Sequence, residues 1–408
     1  MDPRRRDSLL LFLGAGMVAV LATASALLVR PLPFSDWAYY WSAAEGSFPY
    51  ERGGVMVFVL RAMQTLQLAP YATALIMNLA AAAALLLTAW KAETERVGIA
   101  TLLVIAYLLV IGPYFAVVQF DLAATAFLCA GLACLASEAT GARKRRDIIV
   151  ALVLLACAVS SRPQFFLILP VLGMLFVLTT AVAGGRGRLL RSRGLTSAAV
   201  LLAAALLGFA ADSTLRSTSG RAEAVRTSSG VTLYAGLLSS GTSRPTCGYW
   251  SERATRDARA DAHLPLLPTV LSRLQEHPPG HWLAVLRCKA PEILMPGAYA
   301  LAWSLGSPNV VERLQETGSP TRDTRIRQLH HAEHRAYFAL LLLIYGFVMI
   351  TTARHLKQRA WMPAALPLLW IASYWAVHAV FEIQGRYFLS LFLLLPFMVM
   401  PRFRRLVE

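Results

Sequence analysis

The stretch SLLLFLGAGMVAVLATASALLV, Ser8 to Val29, decides the fold class of this chain. It runs for 22 residues without a charge. An α-helix needs about 20 apolar residues to cross a bilayer. A basic run at Arg4-Arg5-Arg6 precedes the stretch, as in a cleavable signal peptide, but the block is long and RPLP at 30–33 is not a small-residue cleavage site. We therefore predict a retained first transmembrane helix.

Apolar blocks of this kind recur along the 408 residues, of which 57% are hydrophobic and 15% charged. This composition is too apolar for the surface of a soluble protein, and no strand-like alternation favours a barrel. The sequence predicts an all-α polytopic membrane protein with about ten transmembrane helices (nine to eleven). We place them at about 8–29, 70–90, 97–113, 115–137, 147–161, 164–183, 195–211, 336–353, 361–380 and 387–400.

The net charge of +16 follows the topology of these spans. The proposed inner segments hold 19 Lys and Arg residues, whereas the short outer loops hold four: Arg30, Arg52, Arg162 and Arg386. This is the positive-inside pattern, with both termini in the cytoplasm. No basic, aromatic-interleaved motif for nucleic acid occurs, so we expect membrane lipids and no nucleic acid as partners.

Two outer segments divide the chain. The first, 30–54, belongs to an N-terminal membrane module, 1–211, and is followed by Val55 to Leu68, which we predict to lie in the interface as an amphipathic helix. The second, 212–335, is predicted to be a small extracytoplasmic domain of helices and loops, before C-terminal membrane helices at 336–408. Cys247 and Cys288 lie in this domain, as one disulfide or two free thiols.

Ionisable residues at the outer membrane boundary are the candidate site, because charges there are costly and usually functional. Asp36 follows the first helix, and the aromatic residues Tyr39 and Tyr40 come soon after it. A carboxylate backed by aromatics can accept a hydroxyl proton while the rings hold a sugar or lipid. The alternative is a helix cap with belt aromatics. Asp121, within an apolar run, needs a partner or an aqueous cavity.

Two arginines complete the candidate site. Arg162, in a tight outer hairpin before Pro163, suits a phosphate, and the alternative is a snorkelling anchor at the membrane interface. The last outer corner holds FEIQGRY, residues 381–387, with Glu382, Gln384, Arg386 and Tyr387. It is either a binding corner or the site of an internal ion pair between Glu382 and Arg386, four residues apart.

These four clusters together resemble the glycosyltransferase C superfamily, most closely the bacterial relatives of protein O-mannosyltransferases and of lipid A aminoarabinose transferases. The resemblance covers most of the chain in layout, and includes the outer stretches Leu233 to Trp250 and His281 to Met295. Such enzymes often carry an acidic pair at the first outer loop, whereas here Trp37 follows Asp36. A role that needs two adjacent carboxylates is therefore not expected.

The resemblance implies sugar transfer from a polyprenyl-phosphate donor to an envelope glycan, lipid or protein acceptor on the outer face of the bacterial cytoplasmic membrane. Asp36 would be the general base and Asp121 would assist it or bind the acceptor, while Arg162 and Arg386 would hold the donor phosphate. Substrate contacts are expected from Tyr39, Tyr40, Lys289, Glu382, Gln384 and Tyr387. No cofactor is required and no metal-ligating residue is assigned, although some members of the superfamily use a divalent cation.

Two other classes of membrane protein and one metal-binding motif are alternatives to the glycosyltransferase interpretation. A lipid-linked glycan flippase or transporter would need polar residues through the whole membrane depth, and an envelope glycan polymerase or ligase a larger outer domain. His330-His331-Ala332-Glu333-His334 matches the H-x-x-E-H order of inverted zinc peptidases, but no downstream ligand is evident. We expect this motif to be a wet helix end near the membrane.

Overall fold

The structure is a computed structural model that describes residues 3–31, 35–46, 53–93, 96–137, 140–189, 193–218, 230–243, 246–305, 320–400 and 402–407. Within those ranges the regular elements are helices and short helical turns, and no strand occurs. Six helices are long and apolar enough to cross a membrane. The predicted class, a helical membrane protein, is confirmed.

The helices follow one another with short connections. The first nine are α1 (Pro3–Val29), α2 (Ser35–Ala44), α3 (Gly54–Gln64), α4 (Pro70–Ala92), α5 (Ile99–Val110), α6 (Asp121–Leu135), α7 (Gly141–Ser161), α8 (Phe165–Leu189) and α9 (Arg193–Thr218). The others described are α10 (Glu252–Ala260), α11 (Leu266–Gln275), α12 (Pro279–Leu294), α13 (Ala300–Leu305), α14 (Pro320–Lys357), α15 (Trp361–Val380) and α16 (Leu389–Met398).

The six candidate spans lie in α1, α4, α8, α9, α14 and α15, among the residues that the structure describes. The spans predicted at 97–113, 115–137 and 387–400 are shorter helices here, α5, α6 and α16. Between α5 and α6 the chain forms a tight helical turn that contains Pro113, whose missing N–H and fixed φ interrupt the helix. A total of about ten spans stays a prediction.

Some helices also run past their predicted limits. Helix α7 starts at Gly141 and takes in the basic run that we placed before it, because Arg and Lys favour helices. Helices α9 and α14 continue across the boundaries predicted at 211 and 335. The predicted helix at 55–68 is found as α3, from Gly54 to Gln64, and Arg61 donates to the carbonyl of Ala44 at the end of α2 over 2.8 Å.

The packing surrounds one short apolar helix with longer ones. Eight helices form a closed ring in which each contacts the next. Their order is α4, α6, α7, α9, α8, α15, α14 and α5, and α5 contacts α4 again. Helix α16 contacts α15, α14, α5 and α6, and each of its residues is buried. A helix that is apolar all round belongs in such an interior. The residues just before α16 are therefore held at one end of the protein core.

The buried turn between α5 and α6 needs polar partners for its carbonyl groups, since unpaired backbone groups are costly in an apolar core. The Asn78 side chain donates to the carbonyls of Phe115, at 2.9 Å, and Val117, at 3.1 Å. Ser304, in α13, donates to the carbonyl of Pro113. These side chains stabilise the turn that leads directly into Asp121.

The segment predicted to be an outer domain is joined to the membrane helices rather than separate from them. Ile293, Tyr299 and Ala300 belong to the main apolar core, and the Tyr345 hydroxyl donates to the carbonyl of Leu294 at 2.6 Å. Cys247 and Cys288 form a disulfide, which settles the open alternative. This segment thus packs directly on the corner that precedes α16.

Candidate functional site

The four predicted clusters meet as two ion pairs, one of them fully buried and the other partly exposed at Asp36. Asp36 pairs with Arg386, whose charged atoms lie 2.5 Å apart, and Asp121 pairs with Arg162. Asp121 and Arg386 also interact electrostatically, and so do Arg162 and Arg386. Residues from four separate parts of the chain therefore form one cluster of two carboxylates and two guanidinium groups.

The pair of Asp36 and Arg386 is held from the last outer corner. Arg386 donates from Nε to the Gln384 side-chain oxygen at 2.8 Å, and the Gln384 amide donates to Glu382. The direct Glu382–Arg386 pair weighed from the sequence is thus replaced by a relay through Gln384. The Asp36 side chain keeps 19% of its surface exposed, whereas that of Arg386 keeps 1%. Asp36 is the member of this pair that a molecule from outside can reach.

The pair of Asp121 and Arg162 lies deeper in the core. Its side chains are 3% and 5% exposed, and the Tyr114 hydroxyl donates to Asp121 at 2.6 Å. Arg162 also donates to Gln119 at 3.1 Å and, weakly, to the hydroxyl of Tyr40 at 3.4 Å. Arg162 is therefore not a snorkelling anchor, and Asp121 has the partner that its apolar surroundings require.

Local sequence explains why each charged group points to the cluster. Asp36 and Asp121 occupy the first turns of α2 and α6, where the helix dipole favours a negative charge. Arg162 ends α7 in an extended conformation, as expected for the residue before a proline. Arg386 sits in the helical turn that leads into buried α16. The predicted short connection after α7 is found at residues 162–164, but Arg162 lies in the core and not at the membrane surface.

Several polar atoms of the cluster have no hydrogen-bond partner within the described part of the chain. They are Arg386 Nη1, Arg162 Nε, the Gln119 amide nitrogen and Asp121 Oδ1. Three of these four atoms are donors, and two of the donors belong to cations. Buried, unsatisfied donors are costly and call for an explanation. An anion with several oxygens would supply acceptors for the three donors, though not a donor for Asp121 Oδ1.

The predicted aromatic contacts differ in their access to the site. Tyr40 is buried and its ring lies 4.3 Å from that of Phe120, while Tyr39 and Tyr387 are half-buried. Trp37 is also buried, so this part of α2 packs into the core instead of forming an aromatic belt. Tyr39 and Tyr387 keep the partial exposure that a substrate contact needs.

Lys289 is buried beneath the last outer corner, in α12. Its ammonium donates to the carbonyls of Gly236, Ala379 and Phe381 over 2.8 to 3.0 Å. Burial lowers the pKa of Lys289 to about 7, with Glu382 opposing that shift. All three N–H groups are thus used to tie the outer segment to residues just before Glu382. The predicted substrate contact of Lys289 stays a prediction. In the structure, its hydrogen bonds stabilise the backbone of the last outer corner.

Three residues near the site were not identified from the sequence. Trp303 lies over the guanidinium of Arg386, Tyr114 holds Asp121, and Asn78 supports the turn before it. Asn78 carried a usable signal, since an amide inside a transmembrane run needs an internal partner. Trp303 and Tyr114 carried none, because nothing in the local pattern relates an aromatic residue to a distant charge.

The H-x-x-E-H motif does not assemble a metal site. Glu333 accepts from the backbone N–H groups of Ala300, at 2.9 Å, and Leu301, at 3.1 Å. His334 instead contacts the carbonyl of His330. In the described ranges, no three His, Cys, Asp or Glu side chains are grouped to hold a metal ion. The use of a divalent cation stays an untested expectation.

The geometry alone carries the assignment of this site. No family model, curated protein or solved structure matches the chain significantly.

Proposed function

We propose that this chain is a membrane glycosyltransferase that moves a sugar from a polyprenyl-phosphate donor to an envelope glycan, lipid or protein acceptor. In this proposal it acts at the outer face of the bacterial cytoplasmic membrane. The observation that carries the proposal is the cluster of two buried arginines with unsatisfied donors, next to the partly exposed carboxylate of Asp36. Binding an anion and accepting a proton are thereby available in one place.

The donor phosphate is the anion that fits this arrangement. A guanidinium makes directed, charge-assisted bonds to phosphate oxygens. Arg386 offers Nη1 and Arg162 offers Nε, and both are already desolvated and held by carboxylates. Preorganised donors of this kind stabilise negative charge most strongly as it develops on a leaving group. They therefore favour departure of the phosphate over mere binding of the donor.

Asp36 is the candidate general base. It accepts the proton of the acceptor hydroxyl while the hydroxyl oxygen bonds to the anomeric carbon of the sugar. The bond between that carbon and the phosphate oxygen breaks, and the oxygen keeps the electron pair. Asp36 is also the carboxylate that Arg386 contacts, so a bound phosphate and Asp36 share that guanidinium.

The remaining residues support these two roles. Asp121 is too buried to meet an acceptor directly, and it assists by holding Arg162. Glu382 and Gln384 orient Arg386, and the half-buried Tyr39 and Tyr387 are the surfaces for a sugar or an isoprenoid. Bond making here needs no nucleotide, which agrees with the absence of a nucleotide-binding glycine motif from the sequence.

The decisive test is sugar transfer by an Asp36→Ala variant. We expect transfer to fall by at least about 100-fold, the range that a general base supplies, with normal protein level and membrane insertion. Mass spectrometry of envelope glycans and lipids, with and without this gene, identifies the missing sugar and its acceptor. The same assay is then applied to the variant.

Asp147→Ala is the matched control, because its side chain is 18% exposed, close to the 19% of Asp36, and it lies in the first half of α7, 15 residues before Arg162. Full transfer by Asp36→Ala would refute the proposal. An unmodified acceptor that accumulates only on the cytoplasmic side would instead favour the flippase. Loss of long polymers with intact single-sugar transfer would favour the polymerase or ligase.

A further inference from the structure

The indole ring of Trp303 lies against the guanidinium of Arg386. The central carbon of that group is 3.9 Å from the Trp303 ring centroid and 5.2 Å from that of Tyr387. Cation–π contacts are strongest with tryptophan and gain strength when the cation is desolvated. The Arg386 side chain is almost completely buried, so the contact is of the strong kind.

Trp303 is the nearer of two rings that constrain the guanidinium in a way that hydrogen bonds do not. Asp36 and Gln384 accept from two edges of the guanidinium, at Nη2 and Nε. Two edge contacts still allow the planar group to tilt, whereas a ring against its face fixes the plane. With the plane fixed, the direction of the remaining group, Nη1, is fixed as well.

Trp303 lies in α13, Ala300–Leu305, which has six residues and is held by Ser304 as well as by Glu333. A helix this short is not stable by itself. The buried Glu333 carboxylate accepts from the first two N–H groups of α13, those of Ala300 and Leu301. This contact satisfies backbone donors that a helix start leaves free and favours the dipole of α13.

We propose that Trp303 and Glu333 are positioning residues for Arg386. Glu333 anchors the start of α13, α13 presents Trp303, and Trp303 orients the guanidinium so that Nη1 faces the site. That Nη1 donates a hydrogen bond to the phosphate rests on the proposed function. The coupling from Glu333 to Arg386 does not. Glu333, the acidic residue of the peptidase-like motif, thereby supports the site through α13 and not as a metal ligand.

The first test measures binding of undecaprenyl phosphate to the full chain in lipid nanodiscs. We expect Trp303→Leu to weaken binding about tenfold, within the range of a desolvated cation–π contact. Trp303→Phe keeps a ring over the cation and is expected to stay within about threefold of the wild type. Glu333→Gln is expected to fall between them, because a neutral amide accepts the same N–H groups more weakly.

Trp361→Leu is the control, since this tryptophan is 67% exposed and begins α15 at the end that lies away from Val380 and the last outer corner. Its binding should match that of the wild type. Equal losses for Trp303→Leu and Trp303→Phe would overturn the positioning role, because the effect would then not depend on an aromatic face.

A second test does not depend on the ligand. Thermal unfolding is measured for Trp303→Leu, Arg386→Met and the double variant. Interacting residues give non-additive effects, so Trp303→Leu should lose about half or more of its effect once Arg386 is Met. Additive effects would overturn the proposal. If the wild type binds no undecaprenyl phosphate while the effects are non-additive, the proposed function fails and the positioning by Trp303 stands.

Discussion

Arginines lie near both ends of α7, and their exposure to solvent differs between the two ends. At its start, Arg146 is 70% exposed and lies 3.7 Å from the carboxylate of Asp147. After its end, Arg162 is 5% exposed and in direct contact with Asp121, beneath Tyr40 and Gln119. Exposed pairs contribute little to stability, whereas burying a charge is costly unless it is paired. The two arginines thus differ in surroundings: one is open to water, and the other is paired inside the protein.

The same contrast separates Arg386 from Arg402. Arg386 is enclosed by Asp36, Gln384 and Trp303, while Arg402 donates to the carbonyl of Lys91 at 3.5 Å and is partly exposed. A cation that serves only to keep a loop in the cytoplasm needs water, not partners. The partners around Arg386 are therefore the evidence for a site, and the residue type alone is not.

Breaking the buried pair is the strongest way to test this comparison. Arg162→Leu should lower the free energy of unfolding by about 3–5 kcal/mol, because it leaves the Asp121 carboxylate buried without its cation. Denaturation in detergent micelles measures the change. The double variant Asp121→Asn, Arg162→Leu should recover part of the loss, since no lone charge is left. A double variant less stable than Arg162→Leu would show that the pair is not the cause.

The titration of Lys289 should change the free energy of unfolding by less than Arg162→Leu does. Its folded pKa, about 7, lies below the unfolded value. Between these two values the unfolded chain binds more protons, so the free energy of unfolding should rise with pH above 7, by at most about 1.4 kcal/mol per unit. Unfolding from pH 7 to 9 measures the slope, and Lys289→Met should lose it.

Lys357→Met, at the exposed end of α14, is the control for Lys289 and should keep the wild-type slope. If Lys289→Met and the wild type showed the same slope, the lowered pKa of Lys289 would be wrong.

The exposed arginines should give the smallest effect. Arg146→Ala is expected to change the free energy of unfolding by less than about 0.5 kcal/mol, as is usual for exposed positions. The same denaturation assay measures it beside Arg162→Leu. A loss of several kcal/mol for Arg146→Ala would mean that the start of α7 is packed in a way that its exposure does not show, and the contrast between the two ends would fail.

The sequence predicted the membrane class, most helix positions and the short connection after α7, because each follows from neighbours along the chain. It also identified Asp36, Asp121, Arg162 and Arg386 as a group, because charges at the ends of apolar runs are rare. Their pairing was not predicted: Asp36 and Arg386 are 350 residues apart, and both arginines were assigned to a phosphate rather than to a carboxylate. The shortened helices around Pro113 were missed, since α5 and α6 are apolar enough to suggest full spans.

Apolar run length and the bias of basic residues determined, without further information, that this chain crosses a membrane, because the cost of exposing or burying a side chain is local. Only the tertiary structure decided which of the charged helix ends meet, that Trp303 covers Arg386, and that Glu333 supports α13 instead of a metal. Those contacts depend on how α2, α6, α7, α13 and α16 pack together. Packing places residues far apart in the chain within a few ångströms, and no local pattern of the sequence records that.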